Sequence, residues 1–278
     1  MIGLTGLHKK LVNWLTTDRR FFEYPMCDFE RIRYELRPCD VVLVEGRSPV
    51  SDVIRVITQS PWTHSAIYIG RLHDIDDPDL RKKVAEFYQG EPDEQLIIEG
   101  MMGQGTIVSP LSIYKNDHVR ICRPSGISRR DAQLAIAHCV DRLGDDYDVR
   151  QIFDLARFLL PWSIVPRSWR SSIFSNHPGS YTRTVCSTVI AEAFGSVSFP
   201  ILPAIVESEN GDVELVARNP RLFTPRDFDY SPFFEIIKFP FLNIVEKGVY
   251  RQLPWNEKLI SNDKHGLVDQ NDLPRHRG

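Results

Sequence analysis

A chain of 278 residues, 42% hydrophobic and 26% charged with a net charge of −3, carries enough apolar material for a full core. That balance excludes a collagenous, low-complexity or strongly charged disordered class. Its five cysteines, Cys27, Cys39, Cys122, Cys139 and Cys186, are odd in number and irregular in spacing, which argues against a disulfide framework or a four-cysteine metal site and for a reducing compartment.

The opening stretch "MIGLTGLHKKLVNWLTTDRR" places Leu4, Leu7, Leu11, Trp14 and Leu15 at helical spacing. One apolar stripe results, which reads as a helix docked on the domain or as an interfacial membrane helix. Lys9 and Lys10 interrupt the apolar run as no signal peptide would, and no segment approaches the roughly 20 apolar residues of a membrane span. A cytoplasmic protein is expected, with peripheral membrane contact as the alternative.

"DVVLVEG" (40–46) is β-branched and apolar, hence a buried strand. Ser48 and Pro49 then start a helix, with Val50, Val53, Ile54 and Ile57 on one face, that ends before Pro61. "HSAIYIG" (64–70) is a second strand. Asp77 and Pro78 cap a short helix, "DLRKKVAEFY". "QLIIEG" (95–100) and "GTIVSPL" (105–111) are strands around the turn "MMGQ"; their glycines do not follow a dinucleotide-binding pattern. "HVRICRP" (118–124) is a further strand. Ser128 with Asp131 opens a helix through Ala132, Ile136, Cys139, Val140 and Leu143, which Gly144 ends, and Cys139 falls on its core face. Beyond Cys186 follow a Pro-rich apolar stretch and the strands "VELVA" and "FFEIIKF". The organisation is read as a helical N-terminal arm (1–37), one α+β domain (38–245) and a polar C-terminal tail (246–278).

"RTVCSTVIAEAFG" (183–195) carries the chemistry. With Thr184 as N-cap, Cys186 occupies the first turn of a helix bearing Val189, Ile190, Ala193 and Phe194, with Gly195 as its stop. Unpaired N–H groups and the positive end of the helix dipole favour a thiolate there. No Asp or Glu lies between Leu155 and Ala191, whereas Arg157, Arg167, Arg170 and Arg183 do. The alternative is a small buried hydrophobe at a helix start. His64, at the beginning of its strand, is the candidate base, against the reading of a structural histidine. If strands 64–70 and 95–100 pair antiparallel, the start of one meets the end of the other. Glu99 then lies beside His64, on the face it shares with Gln95 and Ile97; otherwise it is an exposed strand-end charge.

The segments "DVVLVEG…PWTHSAIYIG", "IIEG", "GDDYD", "VCSTVIAEAF" and "TPRDFDYSPFFEIIK" resemble the permuted papain-like cysteine peptidases and amidases, within them the YiiX/YaeF group related to NlpC-type enzymes. The order of the segments, histidine before cysteine, carries the resemblance over residues 38–240. It implies a circularly permuted papain-like fold: an antiparallel sheet or barrel packed against the helix that carries the cysteine. It also implies Cys186 as nucleophile, His64 as base, Glu99 as the orienting residue, and Tyr147 of "GDDYD" lining the site. Thr188 and Val189 depart from the Glu-Leu that often follows the Cys-Ser pair in relatives, which bears on substrate and not on the nucleophile.

Such a site needs neither metal nor cofactor. Trp62, two residues before the histidine, and Trp162 are expected to contact substrate with Tyr147. Trp162 lies in "RFLLPWSIVPRSWRSSIF" (157–174), which pairs aromatic and aliphatic residues with arginines. That stretch reads as a cleft wall or lipid-facing patch, as a cleft for carboxylate-bearing peptides, or as a connection packed on the core. Three functions stand: a thiol-dependent amidase or peptidase acting on peptides or amide conjugates such as cell-wall fragments, a lipid acyl hydrolase or acyltransferase, and a binding module on the same fold. A nucleic-acid partner has no support, because the basic residues form no long stripe. The oligomeric state is left open.

Overall fold

The run Val41-Val42-Leu43-Val44 is apolar on both sides of the pleat, and it forms strand β1 (Val41–Glu45), whose alternate residues enter two separate cores. A strand buried on both faces must be covered twice. The computed structural model describes residues 17, 24–146, 186–208, 210–242, 244, 246–261 and 267–269. They fall into two units, residues 1–241 and 242–278.

In the first unit, β1 is flanked by β2 (His64–Gly70) and β5 (His118–Pro124). The strands β3 (Leu96–Met101), β4 (Gly105–Pro110) and β8 (Phe234–Ile237) complete a six-stranded sheet in the order β4-β3-β2-β1-β5-β8, every neighbouring pair antiparallel. Antiparallel strands need only short connections, as the β3–β4 turn does. Gly105 there has φ +88°, and a Cβ on it would stand 2.2 Å from the Asp145 carbonyl oxygen.

Helix α1 (Phe29–Glu35) covers one face, where Phe29 and Ile32 join Val42, Val44, Ala66, Tyr68 and Ile97. The other face carries α3 (Pro78–Phe87), α4 (Arg129–Asp141) and α5 (Cys186–Ser196), whose Val84, Ile136, Val140, Ile190 and Phe194 pack with Leu43, Ile67 and Ile98. Helix α2 (Pro49–Thr58) connects β1 to β2. Its N-cap Ser48 accepts a hydrogen bond from the Ser51 N–H, as the sequence predicts. After α5 come β6 (Ala204–Glu207) and β7 (Val213–Val216), a separate two-stranded pair with every residue exposed, then α6 (Pro225–Tyr230) with Thr224 as its N-cap.

Three expectations change. Residues 28–37, read as part of an arm, hold the helix that closes one core, and Asp28 N–H bonds the Phe239 carbonyl at 2.8 Å. The stripe Leu4–Leu15 lies outside the described residues. Within the stretch read as a polar tail, β9 (Leu259–Ser261) pairs with β10 (Leu267–Asp269).

The third concerns the end of α5. Gly195 does not stop the helix, which runs on to Ser196, and Ser198 takes the left-handed conformation at φ 56°. The Phe199 N–H bonds the Phe194 carbonyl and the Ser198 N–H bonds the Gly195 carbonyl, while the rings of Phe194 and Phe199 meet at 5.3 Å. These are the bonds and the apolar contact of a Schellman cap, built on a residue with a Cβ. Ser198→Gly should therefore stabilise the protein by about 0.5–1 kcal/mol. A higher urea midpoint is the expected result; a lower one would show that the Ser198 side chain matters more than its backbone strain.

Candidate active site

Strand pairing brings the acid to the histidine. In the β2–β3 register Ala66 faces Glu99, so His64 lies one diagonal step away on the same face. Its Nε2 is 2.6 Å from Glu99 Oε2. That oxygen also accepts the Tyr114 hydroxyl proton. Tyr114 follows β4 in a short 3₁₀ turn, and its ring lies 6.0 Å from the imidazole. Glu99 is 2% exposed. Burial alone pushes its carboxyl up, but the charge and hydrogen bond of His64, with the Ser109 and Tyr114 hydroxyls, outweigh burial and hold it below the usual carboxylate range. The anion therefore persists in a nearly dry setting.

Cys186 reaches this pair from the opposite side. Ser65, Ile67 and Ile69 alternate with His64, Ala66 and Tyr68, so Ser65 points to the face on which α5 packs. At the first turn of α5, Cys186 lines the same cleft as His64, and its thiol lies within the electrostatic reach of the imidazole and of Ser65. Glu99 occupies Nε2, so Nδ1 is the ring nitrogen left for the sulfur.

All five cysteines are free and buried. Burial pushes the thiols of Cys27, Cys122 and Cys139 up, and that of Cys39 to about 12. Cys186 is the exception. Burial raises it too, but the His64 charge, with His64 and Ser65 polar groups beside it, brings the thiol below its ordinary value. For His64, burial favours the neutral ring, whereas the charges and bonds of Cys186 and Glu99 favour the cation and lift it to about 10. Both shifts favour the thiolate–imidazolium form of the pair over the thiol and neutral ring.

Trp62 parts company with these three. Trp62, expected to contact substrate, is 2% exposed inside the core. It is stacked on His118 at 5.4 Å, with the Arg120 guanidinium 4.5 Å over its ring. Its neighbours are structural, and it does not line the cleft above the sulfur. Tyr147, Trp162, Thr184 and the arginines of 157–183 lie outside the described residues.

Sequence reading passed over Tyr114, Ser109 and Ser65. Ser109 was open to it: the tight β3–β4 turn sets Ser109 opposite Ile97, hence on the face of Glu99. Ser65 required knowing which sheet face the cysteine helix covers. Nothing local marks Tyr114, because its role depends on where a 3₁₀ turn lands.

Among the described residues no helix is long and apolar enough to cross a membrane. No group of three or more His, Cys, Asp or Glu side chains among them could hold a metal ion. No family model matches the chain, and no curated protein matches it. Among solved structures, that of the metalloprotein yiiX from Escherichia coli O157:H7 (DUF1105) aligns with a TM-score of 0.43 at 13% identity, over 73% of this chain and 97% of that chain.

Proposed function

We propose that the protein is a thiol-dependent hydrolase of the amidase or peptidase type, working through an acyl-enzyme on Cys186. The observation that carries this reading is the 2.6 Å bond between the His64 imidazole and the buried Glu99 carboxylate, with Cys186 lining the same cleft as His64. In the four other buried thiols burial prevails and raises the pKa, even beside Arg120 at Cys122 and Arg142 at Cys139, so burial alone does not account for Cys186.

The thiolate attacks the substrate carbonyl, forming the S–C bond as the carbonyl pair moves onto oxygen. The backbone N–H of Cys186, in the first turn of α5 where helix donors lack intrahelical partners, helps receive that oxyanion. His64 Nδ1 then gives its proton to the departing amine as the C–N bond breaks. Glu99 keeps Nε2 protonated and offsets the imidazolium charge, the service an aspartate performs for serine nucleophiles. Tyr114 holds Glu99 in turn through its hydroxyl. Water, deprotonated by the now neutral His64, releases the acid and restores the thiolate.

Intact-protein mass spectrometry during turnover of an activated aryl ester tests the reading. The acyl adduct should map to Cys186 and be absent from Cys186→Ala; undiminished turnover by that variant would refute nucleophilic catalysis by this thiol.

A further inference from the structure

Helix α2 carries an apolar stripe that belongs to neither core: Val50, Ile54 and Ile57 are only half-buried, and Val53 is 46% exposed. Its place explains why. Val50 and Ile54 form one wall of a cleft of about 160 Å³ whose lining includes Cys186 and His64. Met101 and Met102, at the β3–β4 turn, also line it and are likewise half-buried outside both cores. A charged residue in the lining besides His64, Asp117, is paired with Arg47 at 2.8 Å. Apolar side chains left half-exposed beside a nucleophile are surface that a substrate can cover.

From this we infer that the cleft is an acyl-group subsite: it seats an apolar group, borne on the carbonyl side of the scissile bond, against Val50, Ile54, Met101 and Met102. This rests on the thiol-hydrolase reading above, which it extends to substrate class. Its size sets the limit: an apolar cavity of about 150 Å³ takes one benzene, so the group has about six carbon atoms. Linear hexanoyl chains and leucine- or phenylalanine-like side chains share that chemistry, and the two methionines adapt to either shape. The step is the one already written: Sγ–C forms, the bond to the leaving group breaks, and the His64 proton departs with that group.

Two measurements on the full chain test this. The first compares kcat/KM for acetyl, hexanoyl and Nα-acetyl-leucyl aryl esters. Burying four further methylenes should favour hexanoyl over acetyl by about a hundredfold. Whichever of the hexanoyl and leucyl esters is faster identifies the source as a fatty acyl or a peptide group. In Ile54→Asp and, on the other side, Met102→Glu, the hexanoyl-to-acetyl ratio should collapse to about threefold or less. A ratio near one in the unaltered protein overturns the subsite.

The second measurement needs no turnover. In Cys186→Ala labelled with ¹³C-methyl methionine, hexanamide should shift the methyl signals of Met101 and Met102 and leave that of Met26 in place, while acetamide should shift none. Shifts without acylation of any ester would sink the thiol chemistry and keep the subsite. Acylation at equal rates without shifts would sink the subsite and keep the thiol chemistry.

Discussion

Replacing His64 with alanine should lower kcat/KM for an activated ester by at least about ten thousand-fold, the order of loss when one member of a mutually dependent catalytic set is removed. The same change should move the thiol. In the intact protein Cys186 lies below its ordinary value because the His64 charge and hydrogen bond outweigh burial. Without the imidazole, burial dominates and the thiol should titrate above its ordinary value of 9.0. Alkylation rates measured against pH read both states. The signs also fix the profile of the unaltered protein: activity rises with pH as Cys186 loses its proton, then falls as His64 loses its own near pH 10. Those two limbs belong to the pair as a whole. An alanine variant whose thiol still titrates below 9.0 would show that Ser65 and the helix end suffice, and that His64 is not the activating cation.

Phe194→Ala should destabilise the protein by about 3–5 kcal/mol, the range for emptying a fully buried aromatic site. Phe194 is 0% exposed. Its ring meets Phe199 at 5.3 Å in a tilted arrangement and Phe234 at 5.3 Å edge-on, and Phe234 in turn meets Phe228 at 5.8 Å. This aromatic group ties α5, its cap, α6 and β8 together. It lies about two turns along α5 from Cys186, so the cavity should also loosen the helix that carries the nucleophile. Urea unfolding gives the stability, and Phe194→Leu supplies a milder loss if the alanine variant does not fold. A change under about 1 kcal/mol would mean that the rings around the site collapse into the space.

The sequence by itself determined whatever depends on near neighbours in the chain. Val41–Val44 read as a buried strand, Ser48-Pro49 as a helix start, and period-two alternation set His64 with Ala66 and Glu99 with Ile97. Even the pairing of His64 with Glu99 followed from two strands read as antiparallel, although the register is offset so that Ala66, not His64, faces the acid. Tertiary structure decided the rest. Trp62 looked available beside the histidine, yet β5 supplies the His118 and Arg120 that enclose it. Gly195 looked like a helix stop, yet packing of Phe199 on Phe194 carries the turn to Ser198. Tyr114 and Ser65 gained their roles only when a 3₁₀ turn and the start of α5 arrived at one strand end. The physical reason is range: hydrogen-bonding preference and hydrophobic period act over a few residues, whereas burial, pKa and the company a side chain keeps are set by segments distant in the chain.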